Sequence, residues 1–255
     1  MSFDVEPDAY TRFMGRFSRP LAREFAALLE LHEGRHVLDV GCGPGALTEV
    51  LADRLGEPSV SAIDPSESFV RAVRSRFPLV DCRLGSAENL PFDSGQFDLC
   101  ASQLVVHFMQ DPVRGISEMA RVTRTGGVVA ANVWDDAGGA GVLAPFGEAQ
   151  RSLDATVYDG PPRPGTTKGD LVRIFTAAGL RDVREEVATV EVRFDSFDEW
   201  WEPFTLGVGP VGEYLGSLTT AGLAALRQAC AERLPSGGFT RTASAWVAIG
   251  RVAAA

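Results

Sequence analysis

Residues 36–55, HVLDVGCGPGALTEVLADRL, constrain the fold more than any other part of this sequence. A short apolar run typical of a buried strand leads directly into three closely spaced glycines, Gly41, Gly43 and Gly45. The residues after them repeat apolar side chains at helical spacing, so the stretch predicts a strand, a tight glycine loop and a helix. Loops of this kind bind several ligands that contain a nucleoside, and the loop alone does not say which.

The same alternation continues through the first half of the chain. The runs SVSAID, FDLCAS and GGVVAANVW predict further strands, and SESFVRAVRSRF predicts a helix between two of them. Strands separated by helices indicate βαβ units and an α/β fold. Two helix starts are predicted from capping signals: Asp111 as an N-cap followed by Pro112, and Ser18 as the N-cap of SRPLAREFAALLEL.

A single domain over residues 1–255 is predicted, because 45% of the residues are hydrophobic and can form one core. Within it we expect an N-terminal helical arm (1–35), a cofactor-binding core (36–134) and a cap (195–240) inserted between the last two strands. The cap is rich in aromatic residues, and we expect most of them to form its own small core. Those residues are Trp200, Trp201, Phe204 and Tyr214.

Charge and composition exclude several classes of function. The net charge of −10 argues against binding to a nucleic-acid backbone, which requires clustered Lys and Arg. The four cysteines form no C-x-x-C pair and the three histidines stand at no metal-ligand spacing with them, so no metal site is predicted. The sequence starts without the pattern of a signal peptide and contains no membrane-length apolar run. We therefore expect a cytoplasmic protein that binds neither nucleic acid nor membrane.

An acidic residue follows the glycine loop at an informative distance. Asp64 ends the second predicted strand, 21 residues after Gly43. A carboxylate about 20 residues beyond such a loop can accept hydrogen bonds from both hydroxyls of a ribose. The ligand therefore contains a ribose with a free 2′-hydroxyl, because a 2′-phosphate would be repelled by Asp64.

The spacing of the loop separates two kinds of nucleoside ligand. Dinucleotide loops follow the pattern G-x-G-x-x-G, whereas here Gly45 comes one residue early. Asp39 also stands inside the first strand, where a carboxylate suits a ligand with a cationic group. S-Adenosylmethionine has one ribose, no pyrophosphate, and an ammonium group beside a sulfonium. It fits this pattern better than NAD does.

With these motifs in place, the sequence resembles the class I S-adenosylmethionine-dependent methyltransferases. The segments VLDVGCGPG, AIDPSESF, GSAENLPFDSGQFDLC and EMARVTRTGG match the motifs of that family in order, between Val37 and Val133. The resemblance implies a Rossmann-like sheet of seven mostly parallel strands, with helices on both faces, the last strand antiparallel and a helical cap insertion. It also implies S-adenosylmethionine as the cofactor and S-adenosylhomocysteine as its product.

The resemblance assigns roles to matching residues. Asp39 and the backbone of Gly41 and Gly43 would hold the methionine end of the cofactor, with Gln103 lining the same side and Asp64 binding the ribose. The remaining predicted contacts are Cys42 as a packing residue in the loop, Pro65, Ser66, Ser86, Ala87 and Glu88 around the adenine, and Tyr10 and Arg16 as covering residues from the arm. Ser86 departs from the family, which usually has Asp there, so the adenine amine meets a weaker acceptor.

Candidates for the chemistry lie after the fourth and fifth strands. His107 is the candidate general base, although a half-buried histidine packed by its neighbours explains the residue equally well. Methyl transfer also proceeds without a base when the acceptor is held in line. Asp135 either orients an acceptor or is a loop charge, and we interpret Asp136 as a loop charge.

These observations together favour methyl transfer from S-adenosylmethionine to a small organic acceptor by in-line displacement at O, N or C. Two alternatives stay open at this point. One is a non-catalytic or regulatory protein that binds S-adenosylmethionine, because no catalytic residue is unambiguous. The other is an NAD-dependent oxidoreductase, which the early third glycine disfavours.

Overall fold

Strands and helices alternate along the chain as the sequence predicts. The computed structural model describes residues 7–136, 138–154 and 163–253. The strands are β1 Val37–Val40, β2 Val60–Asp64, β3 Asp81–Leu84, β4 Phe97–Gln103, β5 Thr123–Trp134, β6 Arg181–Phe194 and β7 Phe239–Arg251. The helices are α1 Pro7–Phe13, α2 Gly15–Ala27, α3 Ala46–Leu55, α4 Glu67–Arg76, α5 Pro112–Val122, α6 Ala144–Leu153, α7 Asp170–Ala177, α8 Phe197–Trp201, α9 Gly209–Ser217 and α10 Thr220–Ala231.

The described strands form one seven-stranded sheet in the order β3-β2-β1-β4-β5-β7-β6. Strands β1 to β5 are parallel to one another, whereas β7 is antiparallel to both β5 and β6. Connections leave β1 and β4 in opposite directions, which makes the space between their carboxyl ends the switch point of the sheet. The Rossmann-like sheet with an antiparallel last strand is confirmed.

Helices cover both faces of the sheet. On one face, α2 buries Leu21 and Phe25 completely against residues such as Leu99 of β4. On the other face, α5 and α7 bury apolar side chains, among them Ile116 and Phe175. Each such side chain contributes roughly 1.5–3 kcal/mol through removal from water. Because both faces are covered, the central strands β1 and β4 read as nearly continuous buried runs, whereas the edge strand β6 alternates.

Of the two predicted helix starts, one is confirmed and one is wrong. The side chain of Asp111 accepts a hydrogen bond from the backbone N–H of Arg114 at 3.0 Å, as an N-cap does. The helix predicted to start at Ser18 starts earlier, at Gly15, and Ser18 is buried within it. The three additional residues bring Phe17 against Trp134 and Phe194, so tertiary packing extends this helix beyond its local start signal.

The segment between β6 and β7 contains α8, α9 and α10, in the part of the sequence where the cap is predicted. Its aromatic side chains do not form a separate core. Trp200, Trp201 and Phe204 are buried in the same cluster as the sheet and α2, and Phe146 of α6 stacks on Phe204 at 5.2 Å between ring centres. The division into arm, core and cap stays a prediction, and residues 1–6 of the arm lie outside the described residues.

Three further findings concern the same described ranges. No helix in them is both long enough and apolar enough to cross a membrane. No group of three or more His, Cys, Asp and Glu side chains within them is placed to hold a metal ion. All four cysteines, Cys42, Cys82, Cys100 and Cys230, are buried and free.

Candidate functional site

The carboxyl ends of β1, β2 and β4 open into a crevice at the switch point of the sheet. Its volume is about 630 Å³, within the range of small-molecule sites. One wall is the glycine loop and the residues after β2 and β3, and the other is the segment after β4. The crevice is lined by Gly41, Pro65, Gly85, Ser86, Ala87, Glu88, Val105, His107, Phe108, Met109, Gln110, Asp111, Arg114 and Arg163.

The glycine loop has the tight geometry that the sequence predicts. The N–H groups of Gly41 and Cys42 both donate to the carbonyl of Ile63, at 2.8 and 3.0 Å, and so draw the loop over β2. Gly41 has φ +75°, and a Cβ atom there would lie 2.4 Å from Val105 Cγ2. Only glycine fits this position, whereas a Cβ on Gly43 would meet no atom within 4 Å.

Asp64 is fixed at the end of β2 by the backbone. Its Oδ2 accepts from the N–H of Gly43 at 2.8 Å, and its Oδ1 accepts from the N–H of Ser66 at 2.9 Å. Burial raises the pKa of Asp64, and the two backbone hydrogen bonds oppose that rise. A carboxylate has about four lone-pair positions, so each oxygen can accept one further hydrogen bond. This matches the paired hydroxyls of a ribose.

Asp39 lies deeper, on β1, and only 1% of it is exposed. Its Oδ2 accepts from Thr48 Oγ1 at 2.6 Å, whereas its buried Oδ1 has no hydrogen-bond partner among the described residues. Burial raises the pKa of Asp39 to about 7; the Thr48 hydroxyl opposes the rise and Asp64 adds to it. A buried carboxylate in this state gains most from a cationic donor.

A second orphaned acceptor lies on the same face of the sheet. Asp39 pairs with Ala101 in β4, so Gln103 stands two residues further along the neighbouring strand. Gln103 Nε2 donates to the carbonyl of Ser18 at 3.0 Å, and in the described part of the chain its buried Oε1 has no partner. Two buried acceptors that lack donors fit an ammonium group, so the chain fits the methionine end of S-adenosylmethionine.

Asn132 is a neighbour that sequence reasoning missed. It pairs with Gln103 across β4 and β5, is fully buried, and has no described partner for either amide atom. Buried polar groups are normally hydrogen-bonded, so this amide is a further candidate contact for a bound ligand. The signal was available in the sequence, because Asn132 is the one polar side chain in the run GGVVAANVW.

The residues predicted to surround the adenine line the far part of the crevice. Ala87 is buried, whereas Ser86 and Pro65 are exposed at the surface of the crevice. Glu88 is held in place, since its Oε1 accepts from the N–H of Gln110 at 2.9 Å. The structure thus brings four of the five predicted adenine residues to one wall, and the fifth, Ser66, bonds to Asp64 behind it.

The two predicted covering residues differ in their placement. The ring of Tyr10 packs edge-on against Phe69 at 5.3 Å, and burial, with a smaller contribution from Asp64, raises its pKa to about 12. Arg16 instead forms an ion pair with Glu199 at 2.7 Å and lies over the ring of Phe194. The structure therefore brings Tyr10 towards the ribose carboxylate but directs the Arg16 guanidinium to the β6 side, away from the glycine loop.

A second cavity, which we call the side cavity, adjoins the crevice. Its volume is about 200 Å³ and most of its walls are apolar. It shares His107, Phe108 and Arg163 with the crevice. The rest of its lining is Tyr10, Phe13, Met14, Leu104, Trp134, Asp136, Leu143, Val208, Gly209, Pro210 and Val211. These residues come from α1, from the ends of β4 and β5, and from the start of α9.

His107 stands at the junction of the two cavities, in a short 3-10 turn after β4. Burial, with a smaller contribution from the positive charge of Arg163, lowers its pKa to about 3. The imidazole is therefore neutral near pH 7. Its buried Nδ1 has no hydrogen-bond partner in the described ranges, so it can bond to a ligand in either cavity.

The structure places the two aspartates after β5 in different surroundings. The Oδ1 of Asp135 accepts from the N–H of Gly138 at 2.9 Å, which makes Asp135 a turn residue. Asp136, interpreted from the sequence as a loop charge, lines the side cavity. Removal from water raises the pKa of Asp136 to about 6; Arg163 opposes the rise and Asp135 adds to it.

Arg163 is the second residue that sequence reasoning missed. Its guanidinium lies 5.5 Å from the ring centre of Phe108 and faces both cavities. It forms no ion pair with any described residue. No pattern in the sequence distinguishes this arginine from the many others, so only the tertiary structure identifies it.

The switch-point crevice, the glycine loop and the ribose carboxylate define a class I S-adenosylmethionine-dependent methyltransferase domain. Residues 38–131 match the family model described as a methyltransferase domain. The recognition made from the sequence motifs is thereby confirmed.

Comparisons with individual proteins agree with this class. Malonyl-[acyl-carrier protein] O-methyltransferase from Pectobacterium atrosepticum is 32% identical over 155 residues, which is 61% of this chain and 58% of that protein. A methyltransferase structure from Bacillus halodurans aligns with a TM-score of 0.60 at 18% identity, covering 92% of this chain and 99% of the other. A geranyl diphosphate methyltransferase in complex with S-adenosylmethionine aligns at 0.53 and 16% identity, covering 93% and 87%. The chain spans little more than half the length of the first relative.

Proposed function

We propose that this protein transfers the methyl group of S-adenosylmethionine to a small organic acceptor held in the side cavity. The observation that carries the proposal is the common wall of the two cavities, formed by His107, Phe108 and Arg163. A methyl donor in the crevice would face a nucleophile in the side cavity across this junction. In-line displacement needs the two reacting atoms about 3–3.5 Å apart and aligned.

The crevice residues would bind and orient the cofactor. Asp64 would accept both ribose hydroxyls, and Asp39 and Gln103 would accept from the ammonium group with their free oxygens. When bound, S-adenosylmethionine supplies an electrophilic methyl group on a positively charged sulfur. Loss of that charge in the product leaves it less attracted to Asp39 and Asp64, which favours product release.

Asp136 is better suited than His107 to remove a proton from the acceptor. Proton acceptors work best when their pKa lies near the working pH, and the pKa of Asp136 is about 6 whereas that of His107 is about 3. For a hydroxyl acceptor, the oxygen forms a bond to the methyl carbon while the carbon–sulfur bond breaks and its electron pair stays on sulfur. The hydroxyl proton passes to Asp136, and neutral His107 donates or accepts a hydrogen bond to hold the acceptor.

The size and charge of the site support a small acceptor. A cavity of about 200 Å³ admits little more than a single ring or a short branched chain. The net charge of −10 disfavours nucleic-acid substrates. The relative from Pectobacterium is named as an O-methyltransferase, which supports oxygen as the methylated atom.

Calorimetry with S-adenosylhomocysteine and with NAD tests the first half of the proposal. We expect S-adenosylhomocysteine to bind with micromolar or better affinity and NAD to show no binding. The reverse result would identify an oxidoreductase. An assay for S-adenosylhomocysteine release on a panel of phenols, amines and carboxylic acids tests the second half. Tight cofactor binding without turnover on any member would favour a non-catalytic binding protein.

A further inference from the structure

We propose that the methyl acceptor is an organic acid whose anionic group pairs with Arg163. The inference rests on the proposed function and narrows its substrate class. It specifies an apolar body of about one ring, held in the side cavity, with a carboxylate or a similar anion directed to the junction with the crevice.

The first observation is that Arg163 forms no ion pair with any residue in the described ranges. Nearly every other arginine near the site is engaged: Arg16 pairs with Glu199, and Arg114 Nε donates to the carbonyl of Glu88 at 2.9 Å. The Arg163 guanidinium lies over the ring of Phe108, 5.5 Å from its centre. Stacking on an aromatic ring fixes the plane of a guanidinium and leaves its N–H fork free for a planar anion.

The second observation is the position of Arg163 relative to polar groups that also lack partners. It lies close enough to His107 and Asp136 to lower the pKa of both. Asp136 lines the side cavity with Arg163 and interacts with its charge, but the two side chains do not form a direct ion pair. An anionic acceptor would therefore meet a free guanidinium at the junction, with the buried Nδ1 of His107 beside it.

The third observation is the apolar surroundings. Phe13, Leu104 and Trp134 line the same cavity, with Val208 and Val211 opposite the arm. An apolar cavity of about 150 Å³ holds a benzene molecule, so the side cavity of about 200 Å³ fits a ring with a small substituent. Low local polarity strengthens a guanidinium–carboxylate pair when both charges are matched.

The carboxylate of the cofactor is a competing partner for Arg163, since this residue also lines the crevice. The orphaned acceptors that fit the methionine end lie on the α2 side of the sheet, at Asp39 and Gln103. This placement favours the acceptor over the cofactor as the partner of Arg163. The test therefore measures both ligands.

The experiment uses the whole protein saturated with S-adenosylhomocysteine and three pairs of probes. The pairs are benzoate with benzamide, phenylacetate with phenylacetamide, and cinnamate with cinnamamide. Binding of each is measured by calorimetry. We expect at least one acid to bind, and its amide to bind about tenfold more weakly or worse. Arg163→Gln should remove this preference, and Arg163→Lys should restore part of it. Arg71→Gln is the matched control, because Arg71 is an exposed arginine in a surface ion pair.

Three results would overturn the inference. The first is that no acid binds to the wild-type complex or that amides bind as well as acids. The second is that Arg163→Gln retains the preference for the acid. The third is that Arg163→Gln weakens the binding of S-adenosylhomocysteine by tenfold or more, which would show that Arg163 contacts the cofactor. Failure of the proposed function shows separately, because the wild-type protein then does not bind S-adenosylhomocysteine before any acid is added.

Discussion

The crevice and the side cavity are built in different ways, although they share a wall. The crevice is formed almost entirely by residues between Gly41 and Arg114, which follow β1 to β4 in chain order. The side cavity draws on α1, on the ends of β4 and β5, on Arg163 and on residues 208–211. The proposed cofactor site is thus lined mostly by one continuous part of the chain, whereas the proposed acceptor site is lined by distant segments.

The polar groups of the two regions are also held differently. In the crevice, Asp64 is fixed by the N–H groups of Gly43 and Ser66, so its position is set by the backbone. In the side cavity, His107 and Arg163 have side chains without hydrogen-bond partners in the described ranges. Backbone-fixed groups suit a ligand common to a whole family, whereas free side chains suit a ligand that differs between its members.

The largest effect is expected at the glycine loop. Gly41→Ala places a Cβ atom against Val105 at a backbone conformation that L-residues avoid. We expect it to destabilise the protein by about 2–4 kcal/mol and to weaken S-adenosylhomocysteine binding at least about a hundredfold. Thermal melts and calorimetry measure the two effects. Gly34→Ala is the control, because Gly34 has a similar φ of +81° but open space around it. Equal effects of the two variants would remove the steric argument.

The next largest effect is expected at Asp136, where a substitution should affect turnover but not cofactor binding. Asp136→Asn should lower kcat about a hundredfold through loss of the proton acceptor, while S-adenosylhomocysteine affinity changes less than about twofold. Because the pKa of Asp136 is about 6, wild-type kcat should rise with pH through that value as the carboxyl group ionises. Asp135→Asn is the matched control, since Asp135 belongs to a turn. An unchanged pH profile in Asp136→Asn would exclude the proton-acceptor role.

A smaller effect is expected at the ribose carboxylate. Asp64→Ala removes a charged acceptor of two hydroxyls, which is worth roughly 1.5–3 kcal/mol, so cofactor affinity should fall by an order of magnitude or more. Asp81→Ala on the neighbouring strand is the control, because Asp81 forms an exposed pair with Arg83. Calorimetric affinity unchanged in Asp64→Ala would remove this residue from the site.

The smallest effect concerns the stability of the ligand-free protein. Asp39 has a folded-state pKa of about 7 against an ordinary value of 3.8, so the folded state binds more protons than the unfolded state between these values. Its free energy of unfolding therefore falls as pH rises from about 4 to 7, by at most about 4 kcal/mol. Asparagine does not ionise, so the free energy of unfolding of Asp39→Asn lacks this decrease with pH.

Melting temperatures of wild type and Asp39→Asn at pH 5 and pH 8 test whether the ionisation of Asp39 destabilises the ligand-free protein. The variant should gain relative to wild type at the higher pH in the absence of ligand. Added S-adenosylhomocysteine should favour the wild type, because its ammonium group stabilises the ionised Asp39. An equal difference between variant and wild type at pH 5 and pH 8 would show that Asp39 is already ionised at pH 5 without a ligand.

The sequence by itself determined the α/β fold and predicted several of the residues that line the crevice. The fold of the glycine loop is set by local patterns in the sequence. The strand leads into the loop and the helix, and Asp64 follows Gly43 at a fixed distance. Each of these patterns reflects a backbone conformation or hydrogen bond that few residues can provide. The fold follows for the same reason, because alternating strands and helices allow few arrangements of a parallel sheet.

Only the tertiary structure showed which charged side chains line the side cavity and which are paired elsewhere. Arg16 pairs with Glu199, a residue 183 positions away, so its sequence context did not show that its charge was already used. Asp135 and Asp136 are neighbours of the same type, and a single turn determines which one lines the cavity. Arg163 reaches the junction through the packing of a distant segment. Burying a charge costs free energy unless other groups pair with it. Those groups come from distant parts of the chain and are brought together only when it has folded.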